Sequence, residues 1–367
     1  MPHRLVFFPD YRAANPYQSL LYDHSATDLH PQPGTIADAL AWRAQQAPEA
    51  GMIFHLHWED GVYRNEPDEA AARAVAERFA LDLERFVDGG GMVLWTLHNQ
   101  APHDDRYPAV QALLRAAILR LVDLVHVHGL EAARFARFEL GIAAERLVIV
   151  PHGNYRPRFA PLAAPREGGR AALGLPEEAR VVLLFGRLDA YKGIDELLDA
   201  IGRLDRPELW LLIAGQQVVR LDEPLARLPP AVRQRIVVEP GPVPEARIPL
   251  LFHAADALVA PYRRILTSGA AMLALSLGRP VLAPAHPGLA ELVRDGNEGL
   301  LWEPADPAGL ERTLERFLAL DAAALEQLAA GAAARAELFD WRTIGNLMAG
   351  VFGRLLALRR PLRRLLT

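Results

Sequence analysis

Residues 183–201 read LLFGRLDAYKGIDELLDAI, and this stretch sets the reading of the whole chain. A short uncharged apolar run, Val181–Phe185, stops at Gly186, and Gly193 opens a segment whose apolar residues recur at helical spacing. Apolar run, tight exit, loop and amphipathic helix make one strand–helix unit of a parallel sheet covered on both faces. A glycine at 186 permits the sharp exit. Arg187 and Lys192 stand on the loop beside the free amides of the helix start, and two cations there suit a phosphate or diphosphate. Lys192 is the single lysine among 40 Lys plus Arg. A chain that uses arginine almost everywhere keeps an ammonium where a compact point charge is wanted.

The same alternation extends in both directions. In the first half the sequence predicts strands at Arg4–Phe8, Met52–His57, Met92–Leu97, Leu124–His128 and Leu147–Val150, with helices at Pro67–Val87 and Tyr107–Leu121. In the second half it predicts strands at Val181–Phe185, Leu209–Ala214, Ile236–Glu239, Ala257–Ala260 and Pro280–Ala283. Helices are expected at Gly193–Gly202, Arg247–His253, Gly269–Leu277 and Gly288–Val293, and over the alanine-rich Asp321–Glu337. Pro157–Pro176, rich in Pro, Ala, Gly and Arg, reads as a linker. The expected fold is therefore α/β, with two Rossmann-like doubly wound parallel-sheet domains facing across a cleft. They would span 1–160 and 161–335, followed by a helical tail over 336–367.

Composition agrees with two such cores. The 367 residues are 51% hydrophobic and 23% charged, too apolar for a disordered chain. No stretch approaches the roughly 18 uncharged apolar residues of a spanning helix, and the N-terminus lacks a signal-peptide core. Cysteine is absent, which excludes a disulfide framework and a thiolate nucleophile and points to the cytoplasm. A net charge of −5 argues against a nucleic-acid partner.

In open parallel sheets, ligands bind beyond the carboxyl ends of the strands. In the first half those ends are rich in histidine. FHLHWED places His57, Trp58 and Glu59 after the second expected strand; WTLHNQAPHDD places His98, Asn99 and Asp104 after the third. His128 follows the fourth, PHGNY places His152 after the fifth, and PDYRAANPYQ places Asn15 after the first. Histidine moves protons near neutral pH and hydrogen-bonds polyhydroxyl ligands. His55/His57 and His126/His128 are HxH pairs, but their outer members sit in apolar runs, so the core reading outweighs a metal site. In the second half, Thr267, Ser268 and Gly269 precede a small-residue apolar helix. That gives a second helix N-terminus with hydroxyls and free amides, and with Arg187 and Lys192 it suits a nucleotide diphosphate.

At this point the chain resembles the GT-B glycosyltransferases, in particular glycosyltransferase family 4 (group 1), most strongly from Val181 to Leu318. FGRLDAYKG matches that family's strand–Arg–loop–Lys signature, which implies that Gly186, Arg187, Lys192, Thr267, Ser268 and Gly269 hold the donor diphosphate. The resemblance also implies nucleoside or sugar contacts at Val243, Tyr262 and Glu291. The family usually carries two glutamates eight residues apart around the phosphate-binding helix; here Ile265 and Leu273 stand at those positions. The TSG form with the HWED, TLHN and PHGNY strand ends is similar to bacterial exopolysaccharide β-mannosyltransferases of xanthan-type assembly.

That resemblance implies transfer of a sugar from a nucleotide-diphosphate donor, GDP-mannose as first choice, to a glycan or lipid-linked acceptor, with no metal and no cofactor. Developing negative charge on the leaving diphosphate would be met by cations and amides. The general base would be His98, Glu59 or Asp104, with His98 favoured because it leaves the central strand directly. Asn15, His57, Trp58, Asn99, His128 and His152 would line the acceptor side. A sugar-nucleotide 2-epimerase and a non-catalytic nucleotide-sugar-binding protein remain alternatives. The tail FGRLLALRRPLRRLLT, with five arginines from Arg354 onward, fits either a peripheral contact with the inner face of the cytoplasmic membrane or a helix docked on the first domain.

Overall fold

The computed structural model describes residues 3–25, 28–45, 50–100, 106–159 and 166–358. The chain divides into two compact units, Met1–Pro151 with Trp341–Thr367, and His152–Asp340. Each contains one six-stranded, wholly parallel sheet with helices. The first sheet comprises β1 (His3–Phe8), β2 (Leu29–Pro33), β3 (Met52–Leu56), β4 (Met92–Thr96), β5 (Leu124–Val127) and β6 (Leu147–Ile149), in the order β2-β1-β3-β4-β5-β6. The second comprises β7 (Arg180–Phe185), β8 (Leu209–Gly215), β9 (Ile236–Pro240), β10 (Ala257–Val259), β11 (Val281–Pro284) and β12 (Gly299–Trp302), in the order β12-β11-β10-β7-β8-β9. The strand order reverses between β1 and β3 in one sheet and between β7 and β10 in the other. These are the points where crossovers diverge to opposite sides and leave room at the carboxyl edge.

The inner strands are apolar because both faces are covered: β3, β4 and β5 are buried along their whole length. β2 went unread in the sequence. Its residues, LHPQP, lack an apolar run, and it pairs only with β1. Prolines are tolerated on such an edge strand, where one side of the backbone needs no partner. The helix expected over Gly288–Val293 is shorter and earlier, Pro287–Ala290, with proline at its start.

The expected linker is corrected. Within Pro157–Pro176 lies the helix Arg166–Leu173, and Arg170 is fully buried. Its guanidinium donates to the Asp256 carboxylate at 2.8 Å, to the Ala254 carbonyl at 3.0 Å and to the Ala179 carbonyl at 2.9 Å. Asp256 also accepts from the Val181 amide at 2.8 Å. One buried ion pair thus ties this segment to the starts of β7 and β10. Composition alone hid it, because Pro, Ala and Gly dominate around a single decisive arginine.

The domain limits shift for a similar reason. The first unit ends at Pro151, not 160, and the second runs to Asp340, not 335. The Asn154 amide donates to the Phe339 carbonyl and its side chain to the Ala336 carbonyl, both at 2.9 Å, while the Tyr155 amide donates to Ser276 Oγ at 2.9 Å. The helix Trp341–Ala357 belongs to the first unit. It buries Trp341, Ile344, Met348, Val351, Phe352 and Leu355, and packs on the helix Tyr17–His24. Arg354, the first arginine of the basic tail, donates to the Glu145 carbonyl; residues 359–367 lie outside the described residues. No single helix among the described residues is long and apolar enough to cross a membrane.

Removing one partner of a buried ion pair leaves the other charge uncompensated. Arg170→Ala is expected to cost about 3–5 kcal/mol in denaturant-induced unfolding of the second unit. A loss below about 1 kcal/mol would show that the pair does not hold the segment.

Candidate functional site

In the second unit the site begins where β7 ends. Gly186 has φ +101° and Gly193 φ +67°, conformations that side chains resist. A Cβ on Gly193 would fall 2.1 Å from the Pro261 carbonyl oxygen, so glycine there lets the loop after β10 approach the loop after β7. Between them, Lys192 closes a short turn capped by Asp189, whose carboxylate accepts from the Ala190 amide at 2.7 Å.

Lys192 is 4% exposed. Its Nζ donates to the Phe185 carbonyl at 2.8 Å and to the Tyr262 hydroxyl at 3.2 Å, and lies 4.8 Å from the Tyr262 ring centroid. A lysine ammonium has three N–H donors. Two are used here, and the third has no protein acceptor among the described residues. Burial alone would lower this ammonium's pKa. The Tyr262 and Tyr191 phenols and Asp189 outweigh it and hold the pKa above the ordinary lysine value. Lys192 is therefore a cation across the neutral range. Arg187 is half-buried, and only its Nε engages Asp189, at 3.3 Å.

The helix Gly269–Ser276 follows β10, so topology brings its N-terminus to the same sheet edge. Ser268 is its N-cap, its hydroxyl accepting from the Ala271 amide at 3.1 Å, and Thr267 is half-buried beside it. A Cβ placed on Gly269 would lie 3.4 Å from the Tyr155 hydroxyl, which is also 3.4 Å from His152 Nε2. His152 was expected on the rim of the first half; it belongs to the second unit, next to this helix start. The stitching of Asn154 and Tyr155 described above decides this, and no local sequence signal could.

Val243 is half-buried on the loop after β9, and Tyr262 is committed to Lys192. Glu291 directly follows the helix Pro287–Ala290, and its carbonyl accepts from Arg335 at 2.6 Å. His286 and Tyr191 were missed by sequence reasoning. His286 Nε2 donates to the Tyr262 carbonyl at 2.9 Å, and the Tyr191 ring stands 5.8 Å from that of Tyr262. The AYKG loop could have suggested Tyr191; His286 lacked a motif. Leu273, at one of the glutamate positions, is buried in its helix.

In the first unit, β3, β4 and β5 are neighbours, so His57, His98 and His128, which follow them, gather at one edge. Trp58 stacks on His98 with centroids 4.1 Å apart and planes 12° from parallel. Tyr17 meets His57, His98 and His128 edge-on at 6.0, 5.5 and 5.5 Å. Asn15 accepts from the Tyr17 amide at 3.0 Å and so shapes the start of that helix. Glu59 is buried and ion-paired to Arg115, which also donates to the Gln100 carbonyl at 2.8 Å. That ion pair engages the Glu59 carboxylate within the first unit. Asn99 is half-buried, and Asp104 lies outside the described residues. His55 and His126 are buried and hydrogen-bonded through Thr96 at 2.7 and 2.9 Å, as core histidines. Among the described residues no group of three or more His, Asp or Glu could hold a metal ion.

Residues 179–319 match the family described as Glycosyl transferases group 1. Over 354 residues, 91% of this chain and 86% of the relative, the chain is 30% identical to a GDP-mannose:glycolipid 4-beta-D-mannosyltransferase of Xanthomonas campestris pv. campestris. The chain belongs to the group 1 glycosyltransferases. This glycosyltransferase also shares its fold with solved structures. One is sucrose-phosphate synthase from Thermosynechococcus elongatus, at TM-score 0.66 and 23% identity, covering 88% of this chain and 77% of that one. Another is Anabaena HepE in complex with UDP-glucose, at TM-score 0.67 and 18% identity, covering 96% and 99%. The two parallel-sheet units are those of the GT-B architecture.

Burial brings His152 down to about 4 against the pull of the Gly153 carbonyl, and the same cause holds His55 and His57 well below the usual histidine value. Between the folded values and about 6.5 the unfolded chain binds more protons, so stability rises with pH across that window. The glycosyltransferase should be fully stable above about pH 6.5 and lose stability as pH falls towards 4, with His152 alone accounting for about 3 kcal/mol. Unfolding midpoints measured across this range should fall in the wild type and fall less steeply in His152→Gln. A flat wild-type profile would contradict this.

Proposed function

We propose that this glycosyltransferase transfers mannose from GDP-mannose to a lipid-linked saccharide, with inversion at the sugar carbon and without a metal ion. The observation that carries the reading is Lys192: a buried ammonium at the β7/β10 switch point, held by two oxygens, with one N–H that has no acceptor among the described residues. The nature of the 30%-identical relative, whose name gives GDP-mannose as donor and a glycolipid as acceptor, supports the choice of substrates.

In this mechanism the acceptor hydroxyl attacks the anomeric carbon as its bond to the diphosphate breaks, through an oxocarbenium-like transition state. The electron pair leaves with GDP. The growing negative charge falls to the second unit: Lys192, Arg187 and the amides at the start of the helix Gly269–Ser276. These groups are preorganised by Gly186, Gly193 and Ser268, so they need little rearrangement as charge develops. They also supply the positive charge for which a divalent ion would otherwise serve. Val243, Tyr262 and Glu291 are assigned to the nucleoside and sugar. The acceptor's proton passes to His98 of the first unit, whose plane Trp58 fixes by stacking; His57, Asn99 and His128 complete the acceptor side. The basic tail would keep the enzyme beside a membrane that carries the acceptor.

Losing one preorganised donor typically costs about 2.7–4 kcal/mol of transition-state stabilisation. Lys192→Ala should therefore turn over about 10²–10³-fold more slowly while keeping the wild-type fold by circular dichroism, and the wild type should keep its activity in EDTA. Wild-type-like turnover in Lys192→Ala would remove the diphosphate assignment. In a thermal-shift panel, GDP and GDP-mannose should raise the melting temperature and UDP-glucose should not, since only a ligand of the native state stabilises it. The reverse order would replace the donor. Release of GDP together with mannosylated acceptor, and no epimerised nucleotide sugar from donor alone, separates transfer from 2-epimerisation.

A further inference from the structure

Six groups across the carboxyl edge of β3, β4 and β5 form one unbroken hydrogen-bonded chain. His126 Nε2 lies 2.9 Å from the Val150 carbonyl oxygen and His126 Nδ1 2.9 Å from Thr96 Oγ1. Thr96 Oγ1 lies 2.7 Å from His55 Nε2, and His55 Nδ1 2.9 Å from the Tyr22 hydroxyl. The Tyr22 hydroxyl lies 2.7 Å from His57 Nε2, and His57 Nδ1 3.2 Å from His98 Nε2. His55 and His57 are completely buried, as is Thr96.

We infer that this chain fixes the tautomer of His98, placing its proton on Nε2 and making Nδ1 the atom that accepts a proton, with His126, Thr96, His55, Tyr22 and His57 as positioning residues. The identification of Nδ1 as the catalytic atom rests on the reading of His98 as base; the order of protons does not.

The order follows from the far end. A carbonyl oxygen has no proton to give, so His126 must donate from Nε2. His126 is 1% exposed, and burial disfavours the charged ring, so it donates at Nε2 and accepts at Nδ1, where Thr96 donates its hydroxyl proton. Thr96 Oγ1 then accepts from His55 Nε2, His55 Nδ1 accepts from Tyr22, and the Tyr22 oxygen accepts from His57 Nε2. His57 Nδ1 is left as an acceptor, and the donor facing it is His98 Nε2–H. Burial keeps His55 and His57 neutral, and burial holds the Tyr22 hydroxyl well above its ordinary pKa, so it stays a donor. Reversing any link would set two acceptors or two donors face to face in the core, which buried polar groups avoid.

The chain orders protons and does not conduct them, because it ends on a carbonyl that cannot take one. When the acceptor's O–H bond breaks, the new N–H bond forms at His98 Nδ1 and the electron pair of that O–H bond goes to the C–O bond at the anomeric carbon. The Nε2–H bond stays where it was. His98 becomes an imidazolium whose Nε2–H donates more strongly to His57, so the chain stabilises the product cation without rearranging.

The test uses full-length enzyme labelled with ring-¹⁵N histidine, in which long-range ¹H–¹⁵N correlation spectra report which nitrogen is protonated. His98→Asn identifies the His98 signals. Wild-type His98 is expected as a single Nε2–H tautomer. Thr96→Val keeps the shape and removes the link; it should yield a mixture of His98 tautomers and lower kcat by about tenfold or more, a part of the roughly 10²–10⁴ that a general base supplies. KM should change little, the melting temperature should fall because two buried ring nitrogens lose a partner, and Thr96→Ser should restore tautomer, rate and stability. Tyr22→Phe breaks the chain from a different element and should repeat the Thr96→Val result. An Nδ1–H tautomer in the wild type, or an unshifted tautomer in both variants, overturns the chain. A shifted tautomer with unchanged turnover upholds the order of protons and overturns His98 as the base.

Discussion

Parallel pairing is the constraint on which the molecule depends. Strands that all run one way must each be followed by a return across a face of the sheet, so every carboxyl end opens at the same edge. Where the strand order reverses, neighbouring crossovers leave to opposite sides and the edge is open. In the second unit that reversal lies between β7 and β10, and the loops after these strands supply Lys192 and Tyr262. In the first unit β3, β4 and β5 stand side by side, and the histidines that follow them are brought together from positions about 40 and 30 residues apart in the chain.

The two units bury charge for different ends. Arg170 and Asp256 form a closed ion pair with no exposure, and the remaining guanidinium hydrogens meet backbone carbonyls. Such a pair has little left to offer a ligand; it locks the segment before β7 to the sheet. Lys192 is equally out of water but faces a carbonyl and a phenol rather than a carboxylate. Its charge is solvated without being cancelled. That difference, and not burial as such, separates a cation closed in an ion pair from one whose charge is left uncancelled. Glu59, paired with Arg115, falls on the ion-paired side of the same divide.

The helix Gly269–Ser276 shows how a family frame accommodates a departure. Where its family usually carries glutamates, this chain has Ile265 and Leu273, and Leu273 packs into the apolar interior of the unit. The helix keeps its N-cap at Ser268 and its glycine at 269, the parts that present amides, and dispenses with the carboxylates. Tyr155 and His152 stand beside Gly269, so polar groups are still present near that helix start, supplied by a distant segment.

The alternation of apolar runs and amphipathic segments determined the α/β class, ten of the twelve strands and the place of the Arg187–Lys192 loop after β7, because strand burial and helix periodicity are written in adjacent residues. It also marked His57, His98, Arg187 and Lys192 as strand-end residues. It missed β2, which pairs only with β1, and β12, and it misread the Arg170 segment, because one buried arginine outweighs a composition typical of linkers. The placement of His152, the commitment of Glu59 to Arg115, and the chain from Val150 to His98 were decided by tertiary structure alone. A hydrogen bond is set by distance and by which atom holds the proton, and its partners here come from strands and helices far apart in sequence. Local pattern specifies which edge a residue reaches; only the packed fold specifies what it meets there.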